Sequence, residues 1–395
     1  CLNAISTIIC TIVYYCLIIN IPYFQERLAL SVVCGLAIIF NIINVDWFYQ
    51  GREEYGYIMM RNLLIKVISL VSVFIFVRTV DDYIAYAAIL TLSKVANNIF
   101  NIVHLRKFAS LTFKNLNIKQ HIKPVIILLA ASIAIEIYTL ADTTMLTFIH
   151  GDKIVGYYVT ARKGIDVIRT MIIAVCAVFL PRLSYYYANQ QIDLFESLAA
   201  KGVKILTYMT IPATIGVVLT ANYFVPLLFG DDFSNAILTT QILSLSIITV
   251  AFSNFFGYQI LVTIGKERQM LISTIIGAIV NVVLNFILVF QFKHNGVSVA
   301  SAVTELCVAL YQIWSIKDTV CIKIEKNFYI SVMVSSILML LTVALAKYII
   351  RGRIWGLLIC IVVGIFSYAI GSIVTKNEIA LEILHKMRCF SNRNA

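Results

Sequence analysis

The sequence predicts an all-α integral membrane protein of two repeated lobes, and three observations carry that prediction. Of 395 residues, 61% are apolar and only 13% charged, with five prolines, a composition that a water-soluble core with a polar shell does not have. Long apolar runs recur without the alternation of a porin strand. The pattern of loops echoes itself at an offset of 214 residues.

A spanning helix needs about 20 mainly apolar residues, and about twelve stretches qualify. They run approximately over 2–21, 28–48, 58–77, 83–103, 124–148, 154–187, 203–228, 236–263, 270–290, 297–316, 328–350 and 354–375. Alternating the loops puts nineteen Lys and Arg residues on one side and seven on the other, the remaining five of the 31 falling inside helices. The richer side is cytoplasmic by the positive-inside rule, so both ends of the chain face the cytoplasm. The net charge of +11 then reads as loop charge. No basic run interleaved with stacking aromatics supports nucleic acid as a partner. Nine cysteines occur without a C-x-x-C pair; they read as small apolar residues, and neither a metal nor a cofactor is expected.

In the repeat, "QGREE" (residues 50–54) overlays "IGKER" (264–268), and "TVDDYIAYAAILTL" (79–92) overlays "KHNGVSVASAVTEL" (293–306). Parallel repeats relating two lobes about the membrane normal are a transporter device. The second lobe starts at Pro124, after the basic stretch "RKFASLTFKNLNIKQHIK". Subtracting the offset sets the first lobe's start about 90 residues before Cys1, room for two more helices. The expected organisation is a truncated four-helix lobe over 1–105, a basic cytoplasmic linker over 106–123, a six-helix lobe over 124–316, and two additional helices with a cytoplasmic tail over 317–395.

Two segments carry a family resemblance: "DWFYQGREEYGYIMMRNLLIKVISLVSVFIFVRTVDDY" with "NNIFNIVHLRK" in the first lobe, and "IYTLADTTMLTFIHGDKIVGYYVTARKGIDVIRTMIIAVCAVFLPRLS" in the second. They resemble the Wzx-type polysaccharide flippases, the O-antigen and capsule repeat-unit translocases of the multidrug/oligosaccharidyl-lipid/polysaccharide (MOP) exporter superfamily. The resemblance covers nearly the whole chain and departs at the front, where the family's first two of fourteen helices are missing. It implies a two-lobe, alternating-access carrier in the bacterial inner membrane. Such a carrier moves undecaprenyl-pyrophosphate-linked oligosaccharide from the cytoplasmic to the outer leaflet. Its implied partners are that lipid-linked sugar, the bilayer, a proton or sodium ion, and a polysaccharide polymerase.

Ionisable residues inside a membrane are costly and usually face a bundle interior or a wet cavity. On the sixth stretch, Arg162 and Arg169 lie two turns apart on one face, with Asp166 in reach of both. Arg169 sits about 22 Å from the outer end, too deep to reach water. The trio is either an internal salt-bridge strip or a cationic wall for a pyrophosphate or acidic sugar, which a guanidinium fork suits. Lys163 points about 100° away, toward an interface or a cargo. Lys94 shares a polar stripe with Asn97, Asn98 and Asn101 that favours a cavity face. Lys66 lies near enough to the cytoplasmic end to snorkel, and is the weaker cargo-binding candidate. Glu136 and Asp142 differ by about 240° around their helix; each, like Glu305, is either an ion-coupling carboxylate or a partner of a buried base.

The loop "NVDWFYQGREEYGY" (44–57) reads as the cytoplasmic end of the second helix. Trp47, Phe48 and Tyr49 form an aromatic belt there, Gly51 breaks the helix, and Arg52, Glu53 and Glu54 are solvated. Asp46 is placed to orient Arg61 or to gate the cytoplasmic mouth. Three rival readings stay open, one of them a purely structural membrane scaffold. A membrane-embedded polymerase or glycosyltransferase needs a large outer loop and a catalytic motif, and neither occurs. Another MOP-type carrier, for peptidoglycan precursor or for drugs, shares the fold; cationic drugs suit the buried arginines poorly.

Overall fold

The computed structural model describes residues 2–106, 108, 119–350 and 352–391. Most of the expected linker, residues 107 and 109–118, lies outside the described residues, as do Arg351 and the tail beyond 391. The described residues contain helices and no strand, as continuous apolar runs require.

The chain divides into two compact units, Cys1–Lys123 and Pro124–Ala395. The first contains α1 (Leu2–Asn20), α2 (Pro22–Gln25), α3 (Leu28–Ile39), α4 (Asp46–Gly51), α5 (Tyr55–Phe76) and α6 (Tyr83–Leu105). From Lys119 the chain continues through α7 (Lys119–His150), α8 (Asp152–Ala177), α9 (Leu180–Ala188), α10 (Ile192–Phe229), α11 (Ala236–Asn254) and α12 (Glu267–Ile316). It ends in α13 (Lys326–Ile349), α14 (Arg353–Val374) and α15 (Glu378–Ser391).

Side chains are distributed in the reverse of a soluble protein. Phe148 is 86% exposed, while Thr239, Ser244, Asn281 and Ser298 are fully buried. Water would meet a continuous apolar surface; hydrocarbon solvates it and leaves close packing of small and hydroxylated residues to hold helices together. Gly202 is one such residue. A Cβ there would come within 2.3 Å of the Phe255 ring, so glycine lets α10 meet the π-helical turn Phe255–Leu261 that follows α11. In the second unit α8, α10, α11 and α12 pack around Tyr158, Ile165, Leu206 and Phe255. The pair α13 and α14 packs on α10.

Nine helices among the described residues are long and apolar enough to cross a membrane, and Leu28–Ile43 is a shorter apolar helix. The 50 residues of α12 would stretch about 75 Å if straight, against a hydrocarbon core of about 30 Å. They fold back instead. Lys293 leaves the helical region at φ 50 and ψ −132, and Gln312 Nε2 donates to Ser273 Oγ at 3.1 Å. The ninth and tenth predicted stretches are thus the arms of one hairpin.

Two expected boundaries need correction. The stretch 28–48 is not one helix: α3 stops at Ile39, a 3₁₀ turn covers Phe40–Ile43, and α4 starts afresh at Asp46. The cause is an Asx turn, in which Asn44 Oδ1 accepts the Asp46 backbone N–H at 3.0 Å and competes with helix continuation. The stretch 154–187 also breaks, after Ala177, with Pro181 in the first turn of α9, the position where a missing N–H costs least.

Beyond α14, the amphipathic α15 is tied to α10 by Lys204–Glu378 at 2.5 Å and Lys201–Glu382 at 2.8 Å. Hydrogen bonds from Lys201 and Lys386 hold the Glu382 carboxyl below the ordinary glutamate range. A depressed folded value means the contact contributes above the unfolded value and is lost as pH falls through the folded one. Acidification to about pH 3 is therefore expected to loosen α15. Hydrogen exchange at residues 381–386 should accelerate relative to α14; equal protection at both pH values would refute the tether.

Candidate functional site

The chemistry of the second unit converges on Asp142, which is 2% exposed and takes four hydrogen bonds. Tyr158 Oη and Ser301 Oγ donate to Oδ2 at 2.6 and 2.7 Å. Asn281 and Asn285 donate to Oδ1 at 3.0 and 2.7 Å. These asparagines lie four apart on one face of α12's first arm, and Asn285 also donates to Asn281 Oδ1 at 3.0 Å. Asp142 thus pins α7 to α8 and to both arms of the α12 hairpin. A buried carboxylate that fills its acceptor sites in this way avoids the cost of an unpaired charge.

Beside it, α8 presents Arg162, Asp166 and Arg169. Asp166 Oδ1 lies 3.1 Å from Arg169 Nη1, and Asp166 Oδ2 lies 3.6 Å from Arg162 Nε. Arg162 also donates to the Thr139 carbonyl at 3.4 Å, and Arg169 Nη2 to Ser246 Oγ. Arg169 Nε is buried without a partner among the described residues. Asp166, with its side chain 47% exposed, is the more accessible partner.

Glu305, on the second arm of α12, completes the ring. It accepts from Tyr138 Oη at 3.0 Å and from Ser253 Oγ at 3.2 Å. Tyr138, Asp142, Arg162, Arg169, Ser301 and Glu305 border one cleft, with about 20 Å³ open to a water-sized sphere. That is room for about one water molecule, and far less than a diphosphate needs.

The first unit contains a second polar cluster. Arg61, 7% exposed, pairs with Asp46 at 3.1 Å and donates to Asn101 Oδ1. Asn101 Nδ2 in turn donates to Asp46. Tyr49 is fully buried, donates to the Asn101 carbonyl at 2.9 Å, and lies against the ring of His104, itself stacked on Tyr57 at 4.3 Å. Of the expected aromatic belt, Trp47 is 67% exposed, whereas Tyr49 is buried and does not face outward. Arg52 and Glu54, expected to be solvated, keep partly exposed side chains and pair with each other at 2.8 Å.

The structure brings together Asp142, Arg162, Asp166, Arg169 and Glu305. It does not bring Glu136, Lys163, Lys66 or Lys94 into either cluster: each is exposed on its helix, with no ion pair among the described residues. Asp142 borders the same cleft as Arg162 but takes its four hydrogen bonds from hydroxyls and amides. Sequence reasoning missed Tyr138, Tyr158, Asn281, Asn285, Ser246, Ser253 and Ser301. For the asparagines a signal existed, since two amides four apart in "NVVLNF" mark one helix face. The hydroxyls look like any others in an apolar run. Among the described residues no group of three or more His, Cys, Asp or Glu side chains could hold a metal.

Comparison with known proteins agrees with this architecture. The family of polysaccharide biosynthesis proteins matches residues 2–186. The "Putative O-antigen transporter" of Escherichia coli (strain K12) is 22% identical over 287 residues, 71% of this chain and 68% of that protein. Its namesake from Shigella dysenteriae is 25% identical over 281 residues, 69% of this chain and 68% of that one. Among solved structures, the lipid II flippase MurJ in an inward closed conformation is similar with a TM-score of 0.70 at 16% identity, over 95% of this chain and 84% of its own. An outward-facing MATE multidrug transporter of the MOP superfamily gives 0.65 at 14% identity, over 80% and 78%. At such identities the structures establish the fold alone. Fold and relatives together define a membrane carrier rather than an enzyme. The match to polysaccharide biosynthesis proteins covers residues 2–186, and the fold is that shared by the MurJ and MATE structures.

Proposed function

We propose that the chain is a lipid-linked oligosaccharide flippase. It carries undecaprenyl-pyrophosphate-linked polysaccharide repeat units from the cytoplasmic to the outer leaflet of the bacterial inner membrane. The observation that carries this reading is the pair Arg162 and Arg169, placed within a spanning helix beside a small cleft and held by a single accessible carboxylate, Asp166. A guanidinium pair so placed suits a diphosphate, and Asp166 occupies the place of the anion until cargo displaces it. Because the cleft admits about one water, loading requires a more open state that the headgroup selects. The lipid tail stays among the apolar outer faces of the helices. Rocking of one lobe against the other then carries the glycan across. Both ends of the chain face the cytoplasm in this reading, and Asp46 with Arg61 fastens the cytoplasmic end of the first lobe.

The test is expression in a flippase-null strain, followed by assay of surface polysaccharide. Restored polysaccharide is expected. No restoration, with the protein present in the membrane, contradicts the assignment.

A further inference from the structure

Away from the cleft, the turn between the two arms of α12 is fastened to its neighbours by histidines. His150, the last residue of α7, donates from Nε2 to the Val289 carbonyl near the end of the first arm at 2.8 Å. His294, in the turn itself, donates from Nε2 to the Asn235 carbonyl just ahead of α11 at 3.3 Å. Beside it Thr239 Oγ1 donates to Asn295 Oδ1 at 2.8 Å. These are two of the chain's five histidines, and neither lines the cleft around Asp142.

The two rings differ in what a second proton would meet. A ring that donates from Nε2 keeps Nδ1 as a bare acceptor, and protonation makes that atom a charged donor. His150 is half-buried, so water can take its new hydrogen. His294 is 8% exposed, and its Nδ1 is buried without a partner among the described residues. A charged N–H there would have no acceptor, which is costly. The groups around it offer no relief. Lys293 precedes it with a non-helical backbone, α7 brings His150, and α8 brings the Tyr157 ring at 5.4 Å, whose hydroxyl accepts from Asn235 Nδ2 at 3.4 Å. No ionisable side chain comes from α11; on the turn before it, Asp231 is held by Arg353 at 2.6 Å and Asp232 is exposed. The turn lies between the spanning arms, and burial, with the charges of Lys293 and His150, holds His294 below the ordinary histidine range against the pull of the Asn235 carbonyl. A depressed folded value means that the tie contributes fully above the ordinary value and is lost as pH falls through the folded one.

We propose that His294 is a pH-sensitive clasp on the α12 turn: neutral, it holds the turn against the start of α11, and protonated, it releases it. In the reading above this is the outer end of the second lobe, so acidity outside the membrane loosens the carrier there. The clasp itself stands apart from that reading.

The test compares the full chain in lipid nanodiscs with His294→Gln, whose amide can still donate to Asn235 but takes no proton. Hydrogen exchange over residues 291–298 is followed in both from alkaline to acid pH, and the ratio of the two cancels the intrinsic pH dependence of exchange. The ratio should be level at alkaline pH. Below about pH 6.5 the wild type should exchange faster than the variant, by up to about tenfold for each further pH unit, and His150→Gln should keep the wild-type dependence. A ratio that stays constant at every pH overturns the proposal, as does loss of the dependence in His150→Gln. Should the glutamine variant not fold, magnetic resonance of isotope-labelled histidine in the wild type decides. One ring of the five should stay a neutral Nε2–H tautomer below about pH 6.5 and persist in His150→Gln. Protonation of all five at or above that pH overturns the clasp.

Discussion

Replacing Arg162 and Arg169 together by alanine is expected to abolish flipping in a chain that still folds. Each guanidinium offers charge-assisted hydrogen bonds worth about 1.5–3 kcal/mol apiece, so each single variant should lose roughly ten- to a hundredfold in transport. The double variant should fall below detection. Folding should survive because the group left behind, Asp166, is the exposed member of the trio and can hydrate. Lysine in place of both should rescue poorly, since a point charge cannot reproduce a planar fork. Surface polysaccharide on gels, read beside membrane abundance and melting temperature, checks this. Full polysaccharide in the double alanine variant would remove the arginines from the mechanism.

Asp142→Ala is expected to cost the second unit about 4 kcal/mol or more. Removing the carboxylate strands donors from Tyr158, Ser301, Asn281 and Asn285, and each buried unsatisfied donor costs about 1–3 kcal/mol. Both serine and tyrosine have somewhere else to turn, because Ser301 Oγ also reaches the Val297 carbonyl at 3.0 Å and lies 3.2 Å from Tyr158 Oη. The amides therefore carry most of the cost. Asp142→Asn should cost less, since one oxygen remains to accept. The expected ranking in melting temperature is wild type, then Asn, then Ala, with the loss confined to the second unit in hydrogen exchange. An alanine variant as stable as wild type would show that Asp142 is not the pin between α7, α8 and α12.

The spanning helices were legible because apolar runs of bilayer length allow little else. Their breaks were not, because they rest on local hydrogen bonds. Asn44 ends a helix by accepting one N–H, and Lys293 reverses α12 inside what composition reads as two separate stretches. The Arg162, Asp166 and Arg169 strip could be read directly from spacing on one face. Asp142 and Glu305 could be nominated but not told apart, because their difference lies in which neighbours donate to them. Those neighbours come from segments more than a hundred residues away in sequence for Ser301 and Tyr138. Exposure was equally hidden: Tyr49 and Trp47 are two residues apart in one aromatic run, and one is sealed against Asn101 while the other faces outward.

The central claim is that α8 receives the charged end of a lipid. The most direct measurement is photolabelling of the full chain in nanodiscs by an undecaprenyl diphosphate carrying its reactive group on the terminal phosphate. The label should enter the α8 segment around Arg162 and Arg169 and be displaced by excess inorganic pyrophosphate. Label confined to the apolar outer faces, such as that of α14, and indifferent to pyrophosphate would contradict it.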